Sequence, residues 1–147
     1  MKISLGCDHG GYDLKEIVKK HLESKEFEII DVGTYSLDSV DYPDYGSKAA
    51  ELVAKKEVDK GIVICTTGIG ISIAANKVKG IRCALCTNAY MAKMTRLHND
   101  ANMLALGAGI VGKNLALEIV DTWLDTDFEG GRHIKRVEKI MDIENTL

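Results

Sequence analysis

Apolar residues recur along this chain in two alternating rhythms. Short runs that are nearly all apolar, such as Gly61-Ile62-Val63-Ile64-Cys65, suit strands buried on both faces. Between them apolar positions fall three or four apart, as Leu14, Ile17, Val18 and Leu22 do, which predicts a helix with one inward stripe. Read in order, the pattern predicts strands over 2–7, 28–32, 61–65, 81–86 and 103–106. Helices are predicted over 12–25 and 45–56, over a short stretch ending near 76, and over 89–98, 115–124 and 133–144. The polar stretch 34–44 holds the only proline and is predicted to be an irregular loop.

Strands that alternate with helices imply right-handed crossovers and a parallel sheet. The expected architecture is α/β, a single doubly wound Rossmann-like domain over residues 1–147. It has a five-stranded parallel sheet, helices on both faces and an extra C-terminal helix. A strand order of 2-1-3-4-5 is expected, with the loops after the first and third strands at the switch point where ligands bind. Those loops are Asp8-His9-Gly10-Gly11 and Cys65 to Gly70. The last helix has no evident place in the core and is expected to pack on a partner subunit.

Composition narrows the function classes. With 46% hydrophobic and 28% charged residues the chain is globular, not disordered. A net charge of −3 argues against a nucleic-acid partner. No apolar run approaches a membrane span, and Met1 leads directly into a strand pattern without a signal-peptide layout, so a cytoplasmic location is expected. Of the four cysteines, Cys83 and Cys86 have the spacing of half a zinc site, but no second pair completes it. On a strand they point to opposite faces, so no metal is expected and the thiols read as reduced and buried.

The segment Cys65-Thr66-Thr67-Gly68-Ile69-Gly70-Ile71-Ser72 carries the most chemistry. Its glycines permit a tight turn, and the helix that follows begins with unpaired N–H groups, a nest for a phosphate or a developing oxyanion. A dinucleotide fingerprint is excluded because Ile73 stands at its third glycine position. A P-loop is excluded because no Lys-Ser/Thr pair follows. Cys65, at a strand end before a helix start, is placed to act as nucleophile or base, or else to serve as a small buried residue. Thr67 is either a proton relay or a helix cap. Asp8 and His9 follow the first strand, with Asp8 open to a capping role. His98, at a helix end that favours imidazolium, suits a proton donor or a plain surface position. Arg132 and Arg136 share one helix face, fit either to grip a phosphate or to stay solvated. His21 reads as solvated surface.

Together these segments resemble the ribose-5-phosphate isomerase B family, which includes galactose-6-phosphate and allose-6-phosphate isomerases. The resemblance spans nearly the whole chain. It rests on Asp8-His9-Gly10-Gly11, Asp41-Tyr42-Pro43-Asp44, Cys65 to Ser72 continuing to Lys77, His98-Asn99-Asp100, and Gly130-Gly131-Arg132-His133 with Arg136. It implies an aldose–ketose isomerase of a sugar phosphate that works through an enediolate without metal or organic cofactor, as a homodimer or dimer of dimers with sites between subunits. It makes Cys65 the base between C1 and C2 and Thr67 the group that moves the hydroxyl proton. The enediolate oxygens fall to backbone N–H groups of Gly68, Ile69, Gly70, Ile71 and Ser72, and ring opening to His98 with Asp8. His9, Arg132 and Arg136 become phosphate ligands, Asn99 a ligand of the sugar hydroxyls, and Tyr42 and Thr66 further substrate contacts.

One departure bears on the substrate. Many relatives carry an arginine in the turn after the fifth strand, where this chain reads Gly107-Ala108-Gly109. Either Lys113 replaces that contact or it is missing. Ribose 5-phosphate is the expected substrate, a six-carbon sugar phosphate the nearest rival, and a non-catalytic phosphosugar-binding module a more distant one. A thiol redox protein is the weakest, for want of a Cys-x-x-Cys pair at a helix start.

Overall fold

The computed structural model describes residues 1–146. Five strands, β1 (Lys2–Cys7), β2 (Glu28–Gly33), β3 (Lys60–Cys65), β4 (Cys83–Leu85) and β5 (Met103–Gly107), form one parallel sheet. Six α-helices surround it: α1 (Tyr12–Ser24), α2 (Tyr42–Ala54), α3 (Ile69–Asn76), α4 (Ala89–Asn99), α5 (Lys113–Asp125) and α6 (Arg132–Ile143). The doubly wound α/β architecture expected from the alternating pattern is present.

The strand order corrects one expectation. It is β2-β1-β3-β5-β4, not 2-1-3-4-5. β5 is buried at every position, whereas β4 is three residues long and half-exposed. The apolar run Met103-Leu104-Ala105-Leu106 therefore takes the interior place, and the shorter strand beside Arg82 becomes the edge. Asn76 covers part of that edge: its side chain accepts from Cys83 N–H at 2.8 Å and donates to Cys83 O at 2.9 Å. The switch point between β1 and β3 survives the correction.

Right-handed crossovers in this order send the leftward connections α1 and α4 to one face and the rightward α2 and α3 to the other. The core divides accordingly. Leu14, Val18 and Leu22 pack with Ala92, Ile119 and Trp123 beneath one face, and Ala49, Val53, Ile71 and Ala75 fill the other. Helix α2 starts three residues before its expected Tyr45, because Pro43 occupies the first turn, where its missing N–H costs nothing. In α6 only His133 is fully buried, and Ile134, Ile140 and Ile143 are exposed. The expected stripe of Val137, Ile140 and Met141 is at best half-covered.

A buried charge ties the first loop region together. Lys15, fully buried, places its Nζ 2.9 and 2.8 Å from the two oxygens of Asp31 and donates to Thr34 O at 2.7 Å. Thr34 N–H in turn donates to Cys7 O at 2.7 Å, so this ammonium fixes the chain after β2 against the end of β1. Asp31→Ala strands a buried cation and is expected to cost about 3–5 kcal/mol of stability. Adding Lys15→Met to that variant should recover much of the loss, and urea titration of the three proteins measures both effects.

Candidate active site

Three strand-end loops meet above the switch point. After Cys65 the chain turns through Gly68, whose φ of +77° is left-handed. A Cβ there would lie 2.8 Å from the Leu106 carbonyl carbon, so space and conformation both require glycine. The turn brings Gly68 N–H to Cys65 Sγ at 3.1 Å. The loop after β5 is stitched alongside, with Ala108 N–H on Cys65 O at 2.9 Å and Gly109 N–H on Thr66 O at 2.8 Å. On the other side Gly10 abuts the Thr66 hydroxyl and Gly11 lies against Ile64 O, with no room for a side chain at either.

The nest is narrower than the sequence suggests. Gly68 N–H is taken by Cys65 Sγ, and Ile69 N–H donates to Thr67 Oγ1 at 3.2 Å. Ser72 N–H donates to Gly68 O at 3.2 Å while its hydroxyl donates to Ile69 O at 2.7 Å. That leaves Gly70 and Ile71, within the first turn of α3, with N–H groups that no acceptor among the described residues takes. Tyr42 closes over them: a Cβ on Gly70 would lie 2.6 Å from Tyr42 Cζ.

Asp8 is buried and its Oδ1 accepts from Gly11 N–H at 3.1 Å, capping the short 3-10 turn His9–Gly11. The capping role open in the sequence is therefore filled. His9 Nδ1 accepts from Val40 N–H at 3.1 Å. The neutral ring then carries its proton on Nε2, which makes that nitrogen a donor.

The four thiols differ in kind. Burial pushes Cys7 and Cys83 up to about 12 and Cys86 to about 11, so the Cys-x-x-Cys pair is inert. Cys65 alone accepts a backbone N–H at its sulfur.

The remaining candidates gather elsewhere. His98 ends α4, and its ring stacks on His133 with centroids 4.2 Å apart and planes 15° from parallel. Glu129 Oε2 lies 3.6 Å from His98 Nε2 and 3.7 Å from His133 Nε2. Burial, with His98 and Arg132 adding to it, holds the His133 imidazolium below the usual range. Arg132 and Arg136 are exposed and make no ion pair among the described residues. Arg82 anchors the helix end, donating through Nε to Asn99 O at 3.0 Å and through its guanidinium to Asp100 O at 2.8 Å. Glu129 escapes sequence reading because a lone acid in a loop carries no pattern; its only signal is the spacing of four from His133. His21, read as solvated surface, is half-buried and pairs with Asp121 at 2.7 Å.

These two groups do not meet within one chain. Asn99 lies beside Arg82, level with the strand starts, while Cys65 pairs with Gly107 at the strand ends. Four residues of strand separate the two levels, roughly 13 Å. The surface hollows of about 250 and 320 Å³ lie along the exposed side of β4 and reach Asn99, away from Cys65.

Comparison with known proteins decides the family. The Ribose/Galactose Isomerase family matches residues 3–140. This chain belongs to that family. Among relatives of this isomerase-family chain, ribose-5-phosphate isomerase B of Escherichia coli strain K12 is 53% identical over 97% of this chain and 96% of its own. The solved structure of Clostridium thermocellum ribose-5-phosphate isomerase B superposes with a TM-score of 0.98 at 61% identity, covering 99% and 98% of the two chains. The Mycoplasma genitalium enzyme, solved with bound ribulose-5-phosphate, superposes at 0.95 with 40% identity over 99% and 97%.

Within this isomerase fold the thiols give a direct check. Iodoacetamide at pH 7.5 should alkylate Cys65 before Cys7, Cys83 and Cys86, since a thiol near 12 presents roughly one thiolate in thirty thousand. Peptide mass spectrometry over a time course reads the order.

Proposed function

We propose that this chain is an aldose–ketose isomerase that interconverts ribose 5-phosphate and ribulose 5-phosphate through an enediolate. The observation that carries the reading is the pairing of Cys65 Sγ, held by Gly68 N–H, with the free N–H groups of Gly70 and Ile71 one helical turn on. A base and an oxyanion cradle side by side are what enolisation next to a carbonyl needs.

The steps follow from this arrangement. His98 gives a proton to the ring oxygen as the C1–O bond breaks, and the anomeric hydroxyl gives its proton to the Asp8 carboxylate, leaving an open-chain aldehyde. Cys65 thiolate takes the proton from C2, and the bonding pair moves to the carbonyl oxygen to form the enediolate. Gly70 and Ile71 N–H bear that charge, each donor contributing about 3 kcal/mol. Thr67 passes the hydroxyl proton between oxygens, and Cys65 returns its proton to C1. His9 Nε2, Arg132 and Arg136 hold the phosphate, Asn99 the sugar hydroxyls, and Tyr42 and Thr66 the remaining walls. No step requires a metal or an organic cofactor.

Because Cys65 and His98 lie at opposite ends of one chain, the reading takes His98, Asn99, Arg132 and Arg136 from a second copy, in a homodimer or dimer of dimers. Helix α3 supports this. It is apolar nearly throughout, yet Ile69 and Ile73 are exposed at 53% and 56%, one turn apart on the same face. A partner subunit covering that face also closes the nest. Among the described residues no helix is long and apolar enough to cross a membrane, which agrees with one enzyme domain working in the cytoplasm.

A second reading, a six-carbon sugar phosphate, is favoured by Gly109. This exposed residue offers no side chain beside Thr66, where an arginine would otherwise narrow the site. Comparing kcat/KM for ribose 5-phosphate and allose 6-phosphate separates the two, and a clear pentose preference removes the second.

Cys65→Ala should lower turnover by about 10³-fold or more while substrate still binds. Unfolding and refolding it together with His98→Asn tests the shared site. Random pairing leaves one intact site in each mixed dimer, so about a quarter of wild-type activity returns. No recovery would mean that each chain works alone.

A further inference from the structure

The stacked pair His98–His133 and the carboxylate between its nitrogens are not explained by the reaction as written. We infer that Glu129 and His133 are positioning residues that fix the His98 ring and aim its free nitrogen at the sugar for ring opening. This rests on the reading of His98 as the proton donor.

Three segments build the arrangement: the last turn of α4, the loop before α6 and the first turn of α6. The loop is tied to α4 by Glu129 N–H donating to Leu97 O at 3.2 Å, and α6 to the loop by His133 N–H on Gly130 O at 3.1 Å. The His133 side chain is 6% exposed, and its Nε2 is buried without a hydrogen-bond partner. Such an orphan is costly unless a group nearby serves it. Glu129 Oε2, 3.7 Å away, is that group, and it lies 3.6 Å from Nε2 of the more exposed His98 as well.

A metal ion is the obvious alternative occupant of two imidazoles and a carboxylate. The geometry opposes it. Rings stacked within 15° hold their in-plane lone pairs nearly parallel, and one ion cannot lie in the plane of both.

A supporting role fits better. Two imidazolium rings 4.2 Å apart would repel strongly, so the stack disfavours charge on both rings at once. The charged groups around His133 are His98 on α4, Glu129 in the loop, and Arg132 and Arg136 on its own helix. Burial and the three cations keep His133 neutral. His98 lies at the end of α4 with the Glu129 carboxylate 3.6 Å from its Nε2. Neutral His133 serves as a flat support. With Nε2 facing the carboxylate, His98 keeps Nδ1, which has no partner among the described residues, for the sugar. A carboxylate that orients one ring nitrogen while the other does the chemistry is a recurring device.

The test separates ring opening from enolisation. Ribulose 5-phosphate carries phosphate on its C5 oxygen and cannot close a furanose ring through it, so it enters as the open chain. Exchange of its C1 hydrogen with D₂O, followed by NMR, needs Cys65 but not His98. Glu129→Gln and the stack-preserving His133→Phe should lower kcat for ribose 5-phosphate by about tenfold or more and change the exchange rate by less than about twofold. Glu129→Asp should partly restore the ribose 5-phosphate turnover that Glu129→Gln loses. Equal losses in both readouts, or no loss in either, would overturn the inference while the isomerase reading stands. A wild-type protein that neither converts nor exchanges would overturn that reading and this inference with it.

Discussion

All five strands run the same way, so every strand ends at one edge of the sheet and every preceding helix ends at the other. This one constraint separates Cys65, at a strand end, from His98, at a helix end. The two positions offer opposite electrostatics. Strand ends lead into helix starts rich in free N–H groups, which suit anions, while helix ends favour cations such as imidazolium. A reaction that needs both an anion cradle and a cationic proton donor must bring opposite edges together. In the proposed homodimer, two copies packed so that the start of α3 meets the end of α4 would accomplish this without any change in the fold. On that proposal the exposed isoleucines of α3 and the α6 arginines, which make no ion pair among the described residues, answer one requirement.

Precision at the strand ends comes from close packing of backbone on backbone. Gly10 and Gly11 lie against Thr66 and Ile64, Gly68 against Leu106 and Gly107, and Gly107 against Thr67. None of these contacts admits a Cβ, so the three loops cannot drift apart or rotate independently. The Lys15–Asp31 pair adds a fourth tie by fixing Thr34 near Cys7. Preorganised donors stabilise a developing charge because they do not have to reorient when it forms.

Much of this was legible in the sequence, for definite reasons. Short apolar runs and period-3.6 stripes located the five strands and six α-helices, and the glycines of 65–72 marked the turn. What failed was non-local. Strand order depends on which of two apolar segments is longer and more fully buried, and the Arg82-flanked segment lost that contest to Met103–Leu106. The reach of α2 back to Tyr42 turned on Pro43, which reads as loop punctuation but is also a favoured first-turn residue. Ser72 looked like a free donor until its helical bond to Gly68 O was seen. Lys15 and Asp31, and His21 and Asp121, lie far apart in sequence, and no local rule finds such pairs.

A cysteine base rather than a carboxylate fits the field of this site. With Cys65 as the proposed base, one negative charge would move from sulfur to the substrate oxygens during enolisation, and the net charge above α3 would not change. Gly68 N–H faces the sulfur, and Gly70 and Ile71 N–H face the space beyond it. The same helix start therefore supports the charge at both ends of its short path, and the field cancels from the difference between ground state and intermediate. What remains is the intrinsic proton affinity of thiol against carbon acid. A thiol, with an ordinary value of about 8.5, lies closer to a carbon acid than a carboxyl does near 4. Its conjugate base thus takes the proton with less uphill work, provided that thiolate is present at neutral pH. The Cys65 sulfur accepts the Gly68 N–H, whereas burial pushes the other three thiols up to about 11 or about 12.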